Sequence, residues 1–404
     1  MGLIGVVASD VVKPLTSPAF TAGVRPKIPS PYHIICRSTF IRCPTCGCCR
    51  VLQGTQSNIM ALSPPLPDGM ERRAFLGLDP EGFFIRHPPA AHLLDDFYTR
   101  DADLFQTIHM GAAVVDSTQW VLNIDGLVER PYSLNLEQLR AMPSTTITSF
   151  HECYGSPVKP PTDAVWRIGN VTWTGVPLQT LLKLAQPTAA ASFVWSDGLD
   201  SGEFSGVMAD RYQKDLPLNK AMSPEVLVAY QINGEPLSQK RGGPVRLVVP
   251  GWFGTNSTKW LCKLSVQSSR ASGPYTTVFY NEIDPHDASG RTKRPVWAAE
   301  VNSIITRPTQ ESRLATRDVQ IEGWAWCNDG IQAVEVSSDN GATWVQASVE
   351  ARVDFSWQRF SKTLRLENGF HRLVARALSN SGDRQPMSGR RNHVHRVEIR
   401  VDAE

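Results

Sequence analysis

The sequence lacks several features that mark common classes of protein. No run of about 18 apolar residues occurs, so no segment is a candidate for a membrane-spanning helix. The formal net charge is only +2, so no large basic surface indicates nucleic-acid binding. The glycine spacings of a P-loop and of a Rossmann turn are also missing, which disfavours nucleotide binding. The chain does contain 29 prolines and 29 glycines and has few long helical periods, so we predict a strand-rich fold with many turns.

The eight cysteines are distributed unevenly. Five lie in the first fifty residues, and the others, Cys153, Cys262 and Cys327, are far apart. The disulfide framework of a secreted protein would not show this distribution, so we expect reduced thiols and an intracellular location.

Residues 1–59 have a different composition from the rest of the chain. They contain six lysines and arginines and a single acid, Asp10, which is typical of an organelle transit peptide and would make the location mitochondrial rather than cytoplasmic. The cysteines of segment 43–49 could instead hold a metal, but no second well-spaced pair accompanies them. Translation could also start at Met60. We therefore interpret residues 1–65 as a poorly structured or targeting leader.

One stretch places a cysteine at the end of a predicted strand. The β-rich run 146–150 is followed by His151, Glu152 and Cys153, and then by the turn residues 155–157. A thiol in this position is either a packing residue or a soft ligand that faces a pocket, and from this residue alone packing is the commoner role.

A second stretch, 241–261, combines a predicted buried strand with a glycine-rich loop. The loop region carries Arg246, Asn256, Ser257 and Lys259. Backbone N–H groups, hydroxyls and two cations in one loop suit a phosphate-bearing ligand, and an unliganded surface loop is the alternative. Beyond residue 295, short strands alternate with turns at the spacing of an immunoglobulin-type β-sandwich.

Taken together, these motifs resemble the sulfite oxidase family of molybdenum-cofactor enzymes. The resemblance rests on the Cys153 turn, on segments 243–251 and 259–261, and on the C-terminal segments 304–308, 323–326 and 334–344. It implies an α+β fold, with a sulfite-oxidase-type mixed α/β molybdopterin domain at 66–290. It also implies an immunoglobulin-like dimerisation domain at 291–404, and therefore a homodimer.

The resemblance implies a molybdenum–molybdopterin cofactor. Cys153 corresponds to the thiolate ligand of the metal, a soft ligand of the kind that molybdenum prefers in this setting. The resemblance assigns cofactor contacts to seven further residues: His87, His109, Arg241, Arg246, Asn256, Ser257 and Lys259.

The same resemblance implies a substrate pocket formed by Cys153, Arg86, Trp166 and Tyr280. Where the family has an arginine that helps to bind the oxyanion, this chain has Val158. The adjacent Lys159 could take over that role, although a lysine lacks the bidentate geometry of arginine. We therefore expect an anion site that is weakened, or rebuilt from Lys159, Arg86 and Arg241.

The expected function is two-electron oxygen-atom transfer, with oxidation of sulfite or a related sulfur compound as the leading hypothesis. The alternatives are oxygen transfer to or from an organic substrate such as a sulfoxide, and a cofactor-free binding protein. Neither a His-Pro-Gly-Gly segment nor a Cys-x-x-Cys-His motif occurs, so we expect no haem domain in this chain. Electrons would then pass to an external acceptor, either oxygen or a cytochrome.

Overall fold

Short strands joined by tight turns make up most of the chain. The structure, a computed structural model, describes residues 62–157, 165–284 and 287–404. Its α-helices are few and short: α1 (Leu136–Arg140), α2 (Leu178–Ala185), α3 (Leu218–Ala221) and α4 (Pro274–Thr277). None of the described helices is long and apolar enough to cross a membrane. The strand-rich prediction is therefore confirmed, whereas the finer α+β description stays a prediction.

The strands before residue 285 build the part of the molecule that carries the predicted site. They are β1 (Phe75–Glu81), β2 (Phe84–Arg86), β3 (Gln106–Ile108), β4 (Gly111–Val115), β5 (Val121–Gly126), β6 (Tyr132–Asn135), β7 (Thr145–Glu152), β8 (Ile168–Pro177), β9 (Phe193–Gly198), β10 (Gly202–Phe204), β11 (Val207–Ala209), β12 (Gln213–Pro217), β13 (Leu227–Ile232), β14 (Glu235–Pro236), β15 (Arg246–Val248), β16 (Leu261–Gln267) and β17 (Asn281–Ile283).

Two five-stranded sheets share the main core of this region. One has the order β12-β9-β16-β5-β6, and the other has the order β14-β13-β8-β7 with β15 paired to β13. Within these two sheets, as the structure describes them, β16 and β5 are the only neighbouring strands that run parallel. Helix α2 places Leu178, Leu181, Leu182 and Ala185 on one buried face, as their i, i+3, i+4 and i+7 spacing requires. That face packs into the same core as β5 and β13.

The C-terminal strands form two further sheets whose side chains meet in a second core. Before them, β18 (Lys293–Pro295) pairs with β17. The strands of the two sheets are β19 (Asn302–Arg307), β20 (Ser312–Leu314), β21 (Asp318–Trp326), β22 (Ile331–Ser337), β23 (Val345–Gln346), β24 (Ser348–Val349), β25 (Gln358–Arg365), β26 (Gly369–Ser379) and β27 (Arg396–Val401). The sheet orders are β19-β21-β25-β24 and β20-β27-β26-β22-β23. Alternating residues of β21 and β26, such as Val319, Ile321, Leu373 and Ala375, fill the space between the sheets.

Tryptophans of the C-terminal sheets attach them to the strand that leads to Cys153. The indole of Trp326 donates to Glu152 Oε2 at 2.9 Å, and the indole of Trp357 donates to the carbonyl of Phe97 at 3.0 Å. Both indoles belong to an apolar cluster that also contains Phe150 of β7. The described residues 62–157, 165–284 and 287–404 belong to one compact unit, and the boundary predicted at 290/291 stays a prediction.

Candidate active site

The end of β7 opens into a cavity of about 730 Å³, a volume that includes the space open to solvent at its mouth. Its wall comes from segments that are far apart in the sequence. The lining residues are Leu104, Phe105, Gln106, Thr107, His109, His151, Cys153, Tyr154, Asp200, Tyr212, Lys240, Arg241, Arg246, Gly254, Thr255, Ser257, Lys259, Trp260 and Tyr280.

Cys153 is the only one of the three described cysteines that reaches this cavity. Cys262 and Cys327 are buried, whereas Cys153 is half-buried and free. It is the first residue after β7, and its N–H donates to the carbonyl of Arg167 at 2.9 Å. Its sulfur lies 3.4 Å from the N–H of Gly155 and 3.6 Å from Thr107 Oγ1. The backbone thus holds the thiol in a turn where it faces the cavity.

Gly155 leaves room for a cation beside this thiol. A Cβ at Gly155 would lie 2.6 Å from Arg167 Nη1 and 3.6 Å from Cys153 Sγ. Arg167 Nη1 instead donates to the carbonyl of Gly155 at 2.7 Å, and Arg167 Nε is buried without a hydrogen-bond partner among the described residues. Arg167 is a residue that the sequence did not single out.

Two buried arginines, Arg241 and Arg246, line the same cavity. Arg241 pairs with Asp101 and also donates to the carbonyls of Leu104 and Phe105. Arg246 donates to the carbonyls of Arg241 and Ser257 at 3.0 and 3.1 Å.

Unlike Arg241, which pairs with Asp101, Arg246 and Lys259 form no salt bridge with a described residue. Burial and the neighbouring Arg241 lower the pKa of Arg246 to about 9. Burial and the charge of Arg246 also lower the pKa of Lys259, whose ammonium donates to the carbonyl of Thr107. Such a cluster of cations suits an anionic ligand, and phosphate offers several acceptor oxygens to pair with them.

An aromatic wall completes the cavity. Tyr280 has a φ of 57°, which non-glycine residues rarely adopt, and its hydroxyl is hydrogen-bonded to His109 Nε2. Burial and the charge of Lys259 lower the pKa of His109 to about 3, so the imidazole is neutral. Burial also raises the pKa of Tyr280 far above its usual value. This pair therefore presents a protonated phenol and a neutral imidazole to the cavity.

The structure brings seven predicted site residues together in the lining: Cys153, His109, Arg241, Arg246, Ser257, Lys259 and Tyr280. Sequence reasoning missed Thr107, Tyr154, Asp200 and Tyr212, which also line the cavity. Thr107 lies in β3 two residues before His109, which directly follows that strand. This spacing was the only local signal for Thr107. For Asp200 we find no sequence signal.

Four other predicted residues lie outside the lining. The guanidinium of Arg86 donates to the carbonyls of Asp101 and Leu104, and His87 follows it away from the cavity wall. Trp166 is buried in an apolar cluster with Trp326.

Asn256 donates to the carbonyls of Phe253 and Val296, so its amide stabilises the loop and does not line the cavity. The contacts described for Arg86 and Asn256 are with backbone carbonyls, and the predicted site roles of Arg86, Trp166 and Asn256 stay predictions. Lys159 lies outside the described residues.

The donors and acceptors of the cavity fit a molybdopterin with its metal. A soft sulfur ligand and four cations line the same cavity, as a dithiolene-bound metal and a phosphate require. Buried Asp200 adds an oxygen, Oδ1, that has no hydrogen-bond partner among the described residues. Burial raises the pKa of Asp200, while the nearby charge of Lys259 opposes this rise. Asp200 thus offers an open hydrogen-bonding position to a bound cofactor.

Comparisons with known proteins agree with this site. The model of the oxidoreductase molybdopterin-binding domain matches residues 109–275, and that of the Mo-co oxidoreductase dimerisation domain matches residues 293–402. These matches show a molybdopterin-dependent enzyme, so the alternative of a cofactor-free binding protein is wrong.

Similar proteins and structures cover most of the chain. Sulfite oxidase of Gallus gallus is 28% identical over 81% of this chain and 78% of its own length. Mitochondrial sulfite oxidase of Mus musculus is also 28% identical, and the chain spans only 65% of its length. A nitrate reductase of Beauveria bassiana is 26% identical over 74% of this chain and 34% of its own length.

Among solved structures, the sulfane dehydrogenase SoxCD of Paracoccus pantotrophus is similar in fold. It superposes with a TM-score of 0.70 at 26% identity, over 86% of this chain and 92% of that chain. The domain matches, the similar proteins and this fold lead to one conclusion. The chain belongs to the sulfite oxidase family of molybdenum-cofactor oxidoreductases.

Proposed function

We propose that this enzyme oxidises sulfite or a related small sulfur compound by two-electron oxygen-atom transfer, and that an external acceptor takes the electrons. The observation that carries the proposal is the half-buried free thiol of Cys153 in a cavity that is also lined by four cations. The similarity to proteins named sulfite oxidase supports this choice of substrate.

The cofactor would be held by the thiol and the cations that line the cavity. When bound, molybdopterin supplies a metal that exchanges an oxygen atom and two electrons with the substrate. The Cys153 thiolate would ligate this metal. Arg241, Arg246 and Lys259 would neutralise the pterin phosphate, and the hydroxyl of Ser257 would hydrogen-bond to it.

The substrate would meet polar groups that burial keeps in defined protonation states. Tyr280 retains its proton, so its hydroxyl can donate to a substrate oxygen, while neutral His109 orients that hydroxyl. Arg167 lies beside Gly155, and its Nε has no hydrogen-bond partner among the described residues. Its positive charge would favour the binding of an anion beside Cys153. Preorganised donors of this kind stabilise charge that develops on oxygen.

One observation favours a second candidate, oxygen-atom transfer to or from an organic substrate such as a sulfoxide. Two of the lining side chains beside Cys153 are neutral: Thr107, whose Oγ1 lies 3.6 Å from the sulfur, and the adjacent Tyr154. Val158 stands where the family has an arginine. A neutral wall of this kind would accept an uncharged substrate without desolvating a cation.

Steady-state turnover of cofactor-loaded protein tests the choice between these candidates. With ferricyanide as acceptor, we expect saturable oxidation of sulfite that weakens as salt is added, because salt screens the attraction of an anion. Turnover of sulfoxides without turnover of sulfite would transfer the assignment to the second candidate.

The Cys153→Ser variant tests the metal ligand. We expect it to lose both bound molybdenum and turnover, whereas Cys262→Ser, at a buried cysteine outside the cavity, should keep about one molybdenum per chain. A Cys153→Ser protein that still holds molybdenum would overturn the proposed ligand.

The remaining proposals concern the assembly and its surroundings. We propose a homodimer formed through residues 291–404, supported by the match to the dimerisation domain. We also propose a mitochondrial location, supported by the names of the mammalian relatives and by the basic composition of residues 1–59, which lie outside the described residues.

A further inference from the structure

A lysine without a counter-ion is buried behind the aromatic wall of the cavity. Lys214 lies in β12, and its side chain is fully buried. Its ammonium has one hydrogen bond in the described part of the chain, to the carbonyl of Tyr275 at 3.1 Å. The neighbouring carboxylate, Asp215, is occupied by Arg270 at 2.9 and 3.0 Å.

This arrangement should destabilise the fold. An ammonium removed from water costs several kcal/mol unless close acceptors replace its hydration, and here one carbonyl does so. Burial, partly opposed by the charge of Asp215, lowers the pKa of Lys214 to about 8, which agrees with an incompletely compensated charge. An apolar side chain of the same length would fill this space equally well, so packing alone does not explain why a lysine is here.

The ammonium is directed at a residue of the cavity. Lys214 Nζ lies 5.6 Å from the centre of the Tyr280 ring, within the range of a cation–π contact. The hydroxyl of that ring reaches His109, and its backbone has the left-handed φ of 57°. The ring is therefore held at its face by a cation and at its hydroxyl by an imidazole.

We propose that Lys214 is a positioning residue that holds the Tyr280 ring, and with it the Tyr280 hydroxyl, in the orientation that the reaction needs. The inference rests on the proposed active-site role of Tyr280. Lys214 does not line the cavity, so it acts only through the tyrosine.

The first test compares Lys214→Met, which removes the charge and keeps the length, with Lys214→Arg, which keeps the charge. In cofactor-loaded enzyme we expect Lys214→Met to lower kcat roughly 3- to 30-fold, the range of a desolvated cation–π contact, with little change in KM. Lys214→Arg should recover part of the loss. In a Tyr280→Leu background, Lys214→Met should cause no further loss, because both changes remove the same interaction.

The second test measures stability and needs no turnover. Because Lys214→Met removes a poorly compensated buried charge, it should unfold at the same urea concentration as the unmodified protein, or at a higher one. The increase in midpoint should be larger in the Tyr280→Leu background, where no cation–π contact is lost.

A matched control is Lys263→Met. Lys263 lies in β16 and pairs with Asp68 and Asp125 at 2.8 and 3.1 Å, away from the cavity. We expect this variant to keep its turnover and to show no gain in midpoint.

Three results would overturn the proposal. They are an unchanged kcat in Lys214→Met, an equal loss of kcat in both backgrounds, or a loss of stability that accounts for the loss of activity. If the unmodified enzyme does not oxidise sulfite, the proposed substrate is wrong. The Lys214–Tyr280 contact would be rejected separately, by a finding that Lys214→Met shifts the urea midpoint equally in the two backgrounds.

Discussion

Glu152 shows how a single buried charge can connect distant parts of the molecule at the site. It precedes Cys153 and is fully buried. Its carboxylate accepts from the indole of Trp326 at 2.9 Å and from Arg391 at 3.1 Å. Burial raises the pKa of Glu152, and the charge of Arg391 opposes this rise. The turn that holds the candidate metal ligand therefore depends on Trp326 of β21 and on Arg391 of the connection between β26 and β27.

We predict that Arg391→Met lowers the free energy of unfolding by about 3–5 kcal/mol, because it leaves the Glu152 carboxylate buried without its cation. Chemical denaturation measures the loss. The control is Arg390→Met, whose guanidinium is half exposed and pairs with Glu300, and whose loss should cost less than about 1 kcal/mol. Equal losses in the two variants would contradict the importance of the buried pair.

At the scale of elements, a histidine links the two C-terminal sheets. His395 lies just before β27, and its Nδ1 accepts from the N–H of Ile305 in β19, at 3.3 Å. An imidazole that accepts at this nitrogen is neutral. Burial, with a smaller contribution from His393, lowers the pKa of His395 to about 4. Protonation of this side chain would therefore break a contact between the sheets.

We predict that acid weakens the C-terminal sheets through this residue. Because the pKa of His395 is lower in the folded protein than in the unfolded chain, the unfolded state binds more protons between pH 6.5 and pH 4. The stability that neutral His395 contributes is complete above pH 6.5 and is lost as the pH falls towards 4. His395→Gln should flatten part of this dependence in urea titrations, and His371→Gln, at a partly exposed histidine outside this contact, is the control. Parallel profiles for all three proteins would contradict the assignment.

At the scale of the whole molecule, the match to the dimerisation domain bears on the state of assembly. It covers residues 293–402, which include both C-terminal sheets. This region also carries an exposed Phe370, with the guanidinium of Arg400 over its ring. The region therefore combines a complete core of its own with apolar surface that a second copy could cover.

We predict that sedimentation equilibrium gives a mass of twice the 44.7 kDa of one chain. Cys153→Ser should keep this mass, because the cavity lining contains no residue of the C-terminal sheets. A monomer at micromolar concentration would contradict the proposed dimer.

The amino-acid sequence by itself determined the features that depend on neighbouring residues. Apolar residues and turn residues placed Cys153 at the end of a strand predicted to stop at Phe150, and β7 continues two residues further, to Glu152. The strand predicted within 241–261 is present as β15, and the turns beyond residue 295 separate short strands. Local propensity and periodicity act over a few residues, so such features can be predicted without the fold.

Only the tertiary structure decided which side chains meet at the cavity. His109 and Tyr280 are 171 residues apart, and their contact depends on how the sheets pack. The same packing directs Arg86 to backbone carbonyls and places Thr107 beside Cys153. It also buries Lys214 behind Tyr280, where desolvation changes the behaviour of an otherwise ordinary lysine. Burial and long-range contact are properties of the folded chain, so no local pattern in the sequence could assign these roles.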